Sequence, residues 1–153
     1  GYIFSCYHIT PPNKNWPPPG GRPRPPPPGA PGLDLCACLE APMTLAPGEI
    51  RLVPTGVAVA LPPDTVGLVC GRSGLGVKHG VTLANSVGVI DCDYRGELNI
   101  GLINHGREPY TIQPGERCAQ LLVLPILMPS PALVERLDET ARGTGGFGST
   151  GRT

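Results

Sequence analysis

The sequence carries no excess of either charge: 12 Lys and Arg stand against 12 Asp and Glu, for a formal net charge of zero. The basic footprint of a nucleic-acid binder is therefore missing, and no attraction to anionic lipid is expected. No run of about 18 apolar residues is present to span a membrane, and the N-terminus lacks the basic-then-apolar order of a signal peptide. An intracellular protein, cytoplasmic or nuclear, is the expectation. Clustered metal ligands are lacking too. Cys36 and Cys38 form the one close pair, with no second pair at zinc-site spacing. The six cysteines, Cys6, Cys36, Cys38, Cys70, Cys92 and Cys118, are scattered along predicted strands, which reads as reduced and mostly buried thiols rather than a disulfide framework. No glycine-rich stretch ends in Gly-Lys-Ser/Thr, so there is no Walker A loop.

What is present is enough for one compact domain: 153 residues, 40% of them hydrophobic. Pro11 to Pro31 stands apart, because a segment so rich in proline lacks the N–H donors of a β-ladder. Residues 1–31 thus read as a proline-rich extension without order of its own. Pro25 to Pro28 favour a polyproline II rod, either a plain solvated segment or a ligand for a proline-recognition module of SH3 or WW type. Tyr2 to Ile9 has strand-forming residues, whether to pair with the domain or to hang free.

From Gly32 onward, short apolar segments are cut by turn signals about every ten residues, the pattern of an all-β sandwich or barrel. Strands are predicted at Leu33 to Cys38, Glu49 to Pro54, Val57 to Leu61, Thr65 to Cys70, Val81 to Ala84, Val87 to Ile90, Glu97 to Asn104, Tyr110 to Ile112 and Ala119 to Ile126. In Glu97 to Asn104 the alternation is explicit, with Leu98, Ile100 and Leu102 on one face. Only Ala132 to Arg142 has helical spacing, in a segment that is short and runs into glycines.

The stretch Gly88 to Glu97, GVIDCDYRGE, sets Asp91 and Asp93 two residues apart. On an extended strand both carboxylates face one way and enter one cleft together, which suits acid/base chemistry; equally, Asp93, Tyr94, Arg95 and Gly96 make a polar turn. Four other segments are rich in glycine and polar residues: GLDL at Gly32 to Leu35, GRSGLG at Gly71 to Gly76, GERCAQL at Gly115 to Leu121, and RGTGGFGSTG at Arg142 to Gly151. Glycine amides with Ser or Thr hydroxyls form concave anion sites. RGTGGFGSTG reads as a phosphate wrap carrying one ring, Phe147, or as a plain glycine-rich tail.

In order and spacing, these five segments closely resemble the five motifs of the trimeric dUTPase family, over about Gly32 to Gly151. The resemblance implies a jelly-roll-like β subunit over 32–141, a homotrimer with active sites at subunit boundaries, and a C-terminal arm, 142–153, that closes over a neighbour's site and is mobile until nucleotide binds. An arm of that kind displaces the helix reading at Ala132 to Arg142. It further implies hydrolysis of dUTP to dUMP and pyrophosphate by water attack on the α-phosphorus, with Mg2+ across the triphosphate. By position, Asp91 matches the general base and Asp34 the acid that holds magnesium through water. Arg72, Ser73, Gly74 and Gln120 match the phosphate contacts, and Arg142, Ser149 and Thr150 the part that wraps the γ-phosphate. Asn85, Val89 and Asp91 fall in the base and sugar segment, Asn85 as side-chain partner beside backbone groups of a hairpin from Asn85 to Tyr94. Tyr94 matches the ring beneath the deoxyribose, and Phe147 the ring over uracil.

Two departures stand out. Gly71 occupies a position where proline is common in the family, which loosens the backbone there. The polyproline segment lies where the family has a strand, so a sheet edge is left open unless Tyr2 to Ile9 supplies one. His79 and His105 fall on no motif position and read as loop or core histidines. Two rival readings share the fold. A dCTP deaminase would need a catalytic glutamate that GRSGLG and DYRGE do not supply, and a non-catalytic binding module sits poorly with five complete motifs.

Overall fold

Alternation of apolar and polar residues, repeated strand after strand, leaves each strand with one face to bury, and two sheets facing each other satisfy all of them at once. The computed structural model, which describes residues 8–10 and 28–146, has this architecture. One sheet orders its strands as β1 (His8–Thr10), β4 (Ile50–Ala60), β8 (Glu97–Asn104), β6 (Val81–Leu83). The other runs β2 (Leu33–Cys36), β10 (Arg117–Pro125), β5 (Thr65–Cys70), β7 (Gly88–Ile90). A two-stranded ribbon pairs β3 (Met43–Leu45) with β9 (Tyr110–Ile112), and every pairing is antiparallel. The fold is a jelly-roll-like sandwich, as expected.

Between the sheets lie Leu35, Val53, Val57, Val69, Leu98, Leu102 and Leu121, each nearly or fully buried. Polar residues are enclosed with them too, Asn104 the most deeply. Asn104 Nδ2 donates to Leu45 O at 3.0 Å and to Glu108 O at 2.8 Å, while its Oδ1 accepts from Gly106 N at 2.8 Å. A wholly buried amide is tolerated because its donors and acceptor are matched.

Several sequence expectations change. The two strands predicted at Glu49 to Pro54 and Val57 to Leu61 are one, β4, interrupted by a bulge between Pro54 and Ala58. A bulge keeps pairing on both sides while inserting extra residues, so a turn-like Thr55-Gly56 does not end the strand. The only helix among the described residues is α1 (Ser73–His79), which begins within the GRSGLG segment and was not among the predicted elements. Leu75 anchors it in the core, and Gly80, at φ 70°, closes it by donating to Gly76 O. Any side chain at Gly80 would also strike the backbone of Gly106. Residues 132–141 hold no helix and are exposed, in keeping with the arm reading.

The expected proline-rich extension contributes a strand: His8, Ile9 and Thr10 pair with Ala60, Val59 and Ala58, covering the outer edge of β4. Of the five described cysteines, all free, only Cys118 is buried. Strand alternation puts Cys36 and Cys70 on outward positions, and Cys38 follows the end of β2, all at intermediate exposure. His79 is neither loop nor core, for it ends α1 and leans on Tyr110, ring centroids 4.7 Å apart.

Candidate active site

Two groups of polar residues form at separate places on the chain. The first lines a cavity of about 300 Å³ between β7 with its flanking loops and the first half of β8, floored by the core residues Val69, Leu83, Leu98 and Ile100. Asn85, Gly88, Val89, Ile90 and Asp91 make one wall; Tyr94, Glu97, Asn99 and Gly101 belong to the other. The loop before β7 is shaped by Ser86 N donating to Leu83 O at 3.2 Å and Val87 N to Asn85 O at 2.7 Å, with Ser86 at φ 67°. The expected hairpin from Asn85 to Tyr94 does not form: the one strand in that segment is β7, which pairs with β5, while β6 before it belongs to the other sheet. The segment is a crossing between the layers, and that crossing opens the cavity.

After Ile90 the strand stops, and Tyr94 N donates to Asp91 O at 3.1 Å to close a turn. Asp91 and Asp93 are therefore not on a strand, and the two-residue rule that would point them the same way does not apply. Asp91 lines the cavity; Asp93 does not, and is exposed in the turn. Arg95 Nη1 donates to Cys92 O at 2.8 Å and to Tyr94 O at 3.0 Å, bracing the same turn. The cavity thus brings together Asn85, Val89, Asp91 and Tyr94.

The second group sits at the far end of the other sheet. Asp34, Gln120 and Cys70 occupy one rung across β2, β10 and β5. Arg72 Nη1 donates to Asp34 Oδ1, and Arg117 Nη1 to Asp34 Oδ2 at 3.3 Å. Gln120 Nε2 donates to Gly71 O at 3.0 Å, and a Cβ at Gly32 would meet Gln120 Oε1 at 2.9 Å. Gly71 itself packs beneath Thr82, whose hydroxyl would lie 3.0 Å from an added Cβ, so glycine there answers a close neighbour. Beside this cluster a second, open cavity of about 300 Å³ is lined by Arg72, Gly74, Lys78, Tyr110, Glu116 and Arg117. Ser73 begins α1 and is exposed. Arg72, Lys78 and Arg117 outnumber Asp34 and Glu116 by one positive charge on this surface, which suits it to an anion.

Nearby groups carry shifted titrations. Burial, with the neighbouring Asp34 carboxylate, pushes the Cys36 thiol up against the lowering pull of Arg117 and Arg72. Tyr110 is pushed up to about 12 by burial and by donating its hydroxyl to Glu116.

The two groups do not meet within one chain. Asp91 follows Ile90, which pairs with Gly67, whereas the Asp34 rung lies at Cys70. Strand geometry separates them by about 14 Å along the sheet and about 14 Å across its strands. Of the C-terminal residues, Arg142 is exposed and its Nε donates to Gly145 O at 2.8 Å. Phe147, Ser149 and Thr150 lie outside the described residues. Arg117 and Glu97 were not singled out from the sequence. Only the pairing of β10 with β2 brings Arg117 to Asp34, and only the β4 bulge gives Glu97 a partner.

A dUTPase family model matches residues 20–151. This chain belongs to the dUTPase family. A deoxyuridine 5'-triphosphate nucleotidohydrolase from Anaeromyxobacter sp. (strain Fw109-5) is 56% identical over 124 residues, covering 81% of this chain and 83% of that protein. One of the same description from Thiobacillus denitrificans is 53% identical over 126 residues, covering 82% and 86%. Among solved structures, the dUTPase of Staphylococcus bacteriophage 80alpha with dUPNHPP superposes at TM-score 0.84 and 27% identity, covering 96% of this chain and 99% of that one. A variant dUTPase from phage phi11 of S. aureus, described with a structural Mg(II) ion, matches at TM-score 0.73 and 25% identity, covering 86% and 97%.

Proposed function

We propose that this dUTPase hydrolyses dUTP to dUMP and pyrophosphate inside the cell, limiting uracil entry into DNA and supplying dUMP, and that it works as a homotrimer. The observation that carries the reading is the division of the site. One part of the fold has a pocket with a carboxylate and a ring, another a surface carrying Arg72, Lys78 and Arg117, and the two are set apart on the subunit. A cyclic assembly in which one subunit's pocket faces a neighbour's cationic surface joins them.

Within such a site, Asn85 and the backbone of Gly88 and Val89 hydrogen-bond the uracil edge. Cytosine, with donor and acceptor exchanged, would leave them unpaired, which costs more than a lost contact. Tyr94 packs under the deoxyribose, where a 2′-hydroxyl would clash, and Phe147 covers the base. Arg72, Ser73, Gly74 and Gln120 of the neighbour fix the phosphates, and Arg142, Ser149 and Thr150 enclose the γ-phosphate. Asp91 accepts a proton from the attacking water as its oxygen bonds to the α-phosphorus, and the bond to the bridging oxygen breaks to release pyrophosphate. That transfer needs an ionised carboxylate within about 3 Å of the water.

The donor set near Asp34 fits Mg2+ held through water. Among the described residues no three His, Cys, Asp or Glu group to cage a metal. Asp34 is a single half-exposed carboxylate whose two arginine partners leave lone pairs free. When bound, the ion would offset charge on the triphosphate. Asp34 would orient its hydration shell, and Arg72 and Arg117 would hold Asp34.

The decisive test is a light-scattering mass and magnesium-dependent turnover on one sample, with dUTP and dCTP supplied separately and pyrophosphate and ammonia both assayed. A trimer's mass with pyrophosphate from dUTP alone is expected. A folded preparation that leaves dUTP intact, or ammonia from dCTP, overturns the reading.

A further inference from the structure

Opposite the base-binding wall, the cavity is bounded by the start of β8, and there one side chain does two things at once. Glu97 lines the cavity, and its Oε1 accepts a hydrogen bond from Gly56 N at 2.8 Å. Gly56, at φ 66°, sits in the β4 bulge, where pairing jumps from Pro54–Asn99 to Ala58–Glu97. A bulge leaves backbone groups without ladder partners. Thr55 Oγ1 donates to Leu98 O at 2.6 Å and accepts from Val57 N at 3.2 Å, and the Glu97 carboxylate takes the remaining Gly56 N–H. The side chain thereby ties the first residue of β8 to β4.

The backbone of that same residue holds Tyr94. Tyr94 Oη donates to Glu97 O at 3.0 Å, and Asn99 Nδ2 reaches the same oxygen at 3.5 Å. The ring folds back onto its own turn, since a Cβ at Gly96 would collide with the phenol. Tyr94 is otherwise half-exposed, at 44% of its surface, with little packing to set its height in the cavity. Its position therefore follows Glu97 O, which the Ala58–Glu97 pair of the ladder and the side-chain anchor to the bulge hold together.

We propose that Glu97 is a positioning residue for sugar selection: by pinning its own carbonyl through Gly56, it holds the Tyr94 ring at the height that admits deoxyribose and rejects ribose. The proposal rests on the reading of Tyr94 given under Proposed function and adds a residue to it. Glu97→Ala removes the anchor; Glu97→Gln keeps an acceptor oxygen in the same place.

The test compares kcat/KM for dUTP and UTP in wild type, Glu97→Ala and Glu97→Gln, beside their melting temperatures. The dUTP-to-UTP ratio should fall about tenfold in Glu97→Ala, the scale of losing one charge-assisted hydrogen bond, and return to within about threefold in Glu97→Gln. A lowered melting point or uniformly lowered activity with the ratio unchanged would make Glu97 a purely structural bulge partner and overturn the proposal. So would a Gln variant that behaves as the Ala variant. NMR of ring-labelled tyrosine on the unliganded protein separates this from failure of the functional reading: the Tyr94 signals should move in Glu97→Ala and return in Glu97→Gln whether or not dUTP is turned over. Unmoved signals refute the proposal by themselves.

Discussion

Mixing two inactive variants should restore activity, and the amount restored reports how the site is divided. Asp91→Asn keeps the shape of the base-side cavity but removes the proton acceptor, lowering kcat by about 10²- to 10⁴-fold. Arg72→Ala removes a phosphate donor from the other group, a loss of about 10²- to 10³-fold for a group that meets developing charge. Arg117 remains on Asp34 at 3.3 Å, so Asp34 is not left without a cation. Asp34, at the far end of the Cys70 rung, and the residue after β7 lie about 14 Å apart both along and across the sheet, so in the proposed trimer each site draws Asp91 from one subunit and Arg72, the partner of Asp34, from another. When the variants are co-refolded in equal amounts, a site receives an intact copy of both with a chance of about one in four. The mixture should then show about a quarter of wild-type turnover, measured as pyrophosphate release with magnesium at saturating dUTP. Activity no greater than the mean of the two variants alone, from a preparation of trimeric mass, would refute the inference that the groups act across a boundary.

Three further outcomes follow from named contacts. Asn104→Leu removes the side-chain partner of Leu45 O, Glu108 O and Gly106 N, of which the Leu45 bond is buried; at about 1–3 kcal/mol for a buried unsatisfied group it should cost about that much, read as a lowered urea midpoint. Gly32→Ala would place a methyl 2.9 Å from Gln120 Oε1 and push that side chain off Gly71 O, so KM for dUTP should rise several-fold, about the worth of one hydrogen bond, with the urea midpoint little changed. The raised Tyr110 titration favours the neutral phenol in the folded protein. Its contribution is complete below pH 10 and lost as pH climbs toward 12, so melting temperature should fall across that window and fall less steeply in Tyr110→Phe.

The sandwich was legible because alternation is written into adjacent residues: Leu98, Ile100 and Leu102 announce a buried strand face, and β5, β8 and β9 fall where the pattern puts them. Joining β4 across Thr55-Gly56 was not legible, since the partners that hold the bulge, Glu97 and Leu98, lie some forty residues away. Nor was α1, whose glycines argue against a helix until Leu75 has a core to enter.

For the site, the sequence alone determined which residue types are available and in what order, because five short motifs each carry their chemistry within a few neighbouring positions. Only the tertiary structure decided who meets whom. It sent Asp91 into a cavity and left Asp93 outside, set Arg117 against Asp34, and parted the Asp91 cavity from the cationic surface. Those outcomes depend on strand register and on which sheet each strand joins, and both are fixed by contacts between residues far apart in the chain.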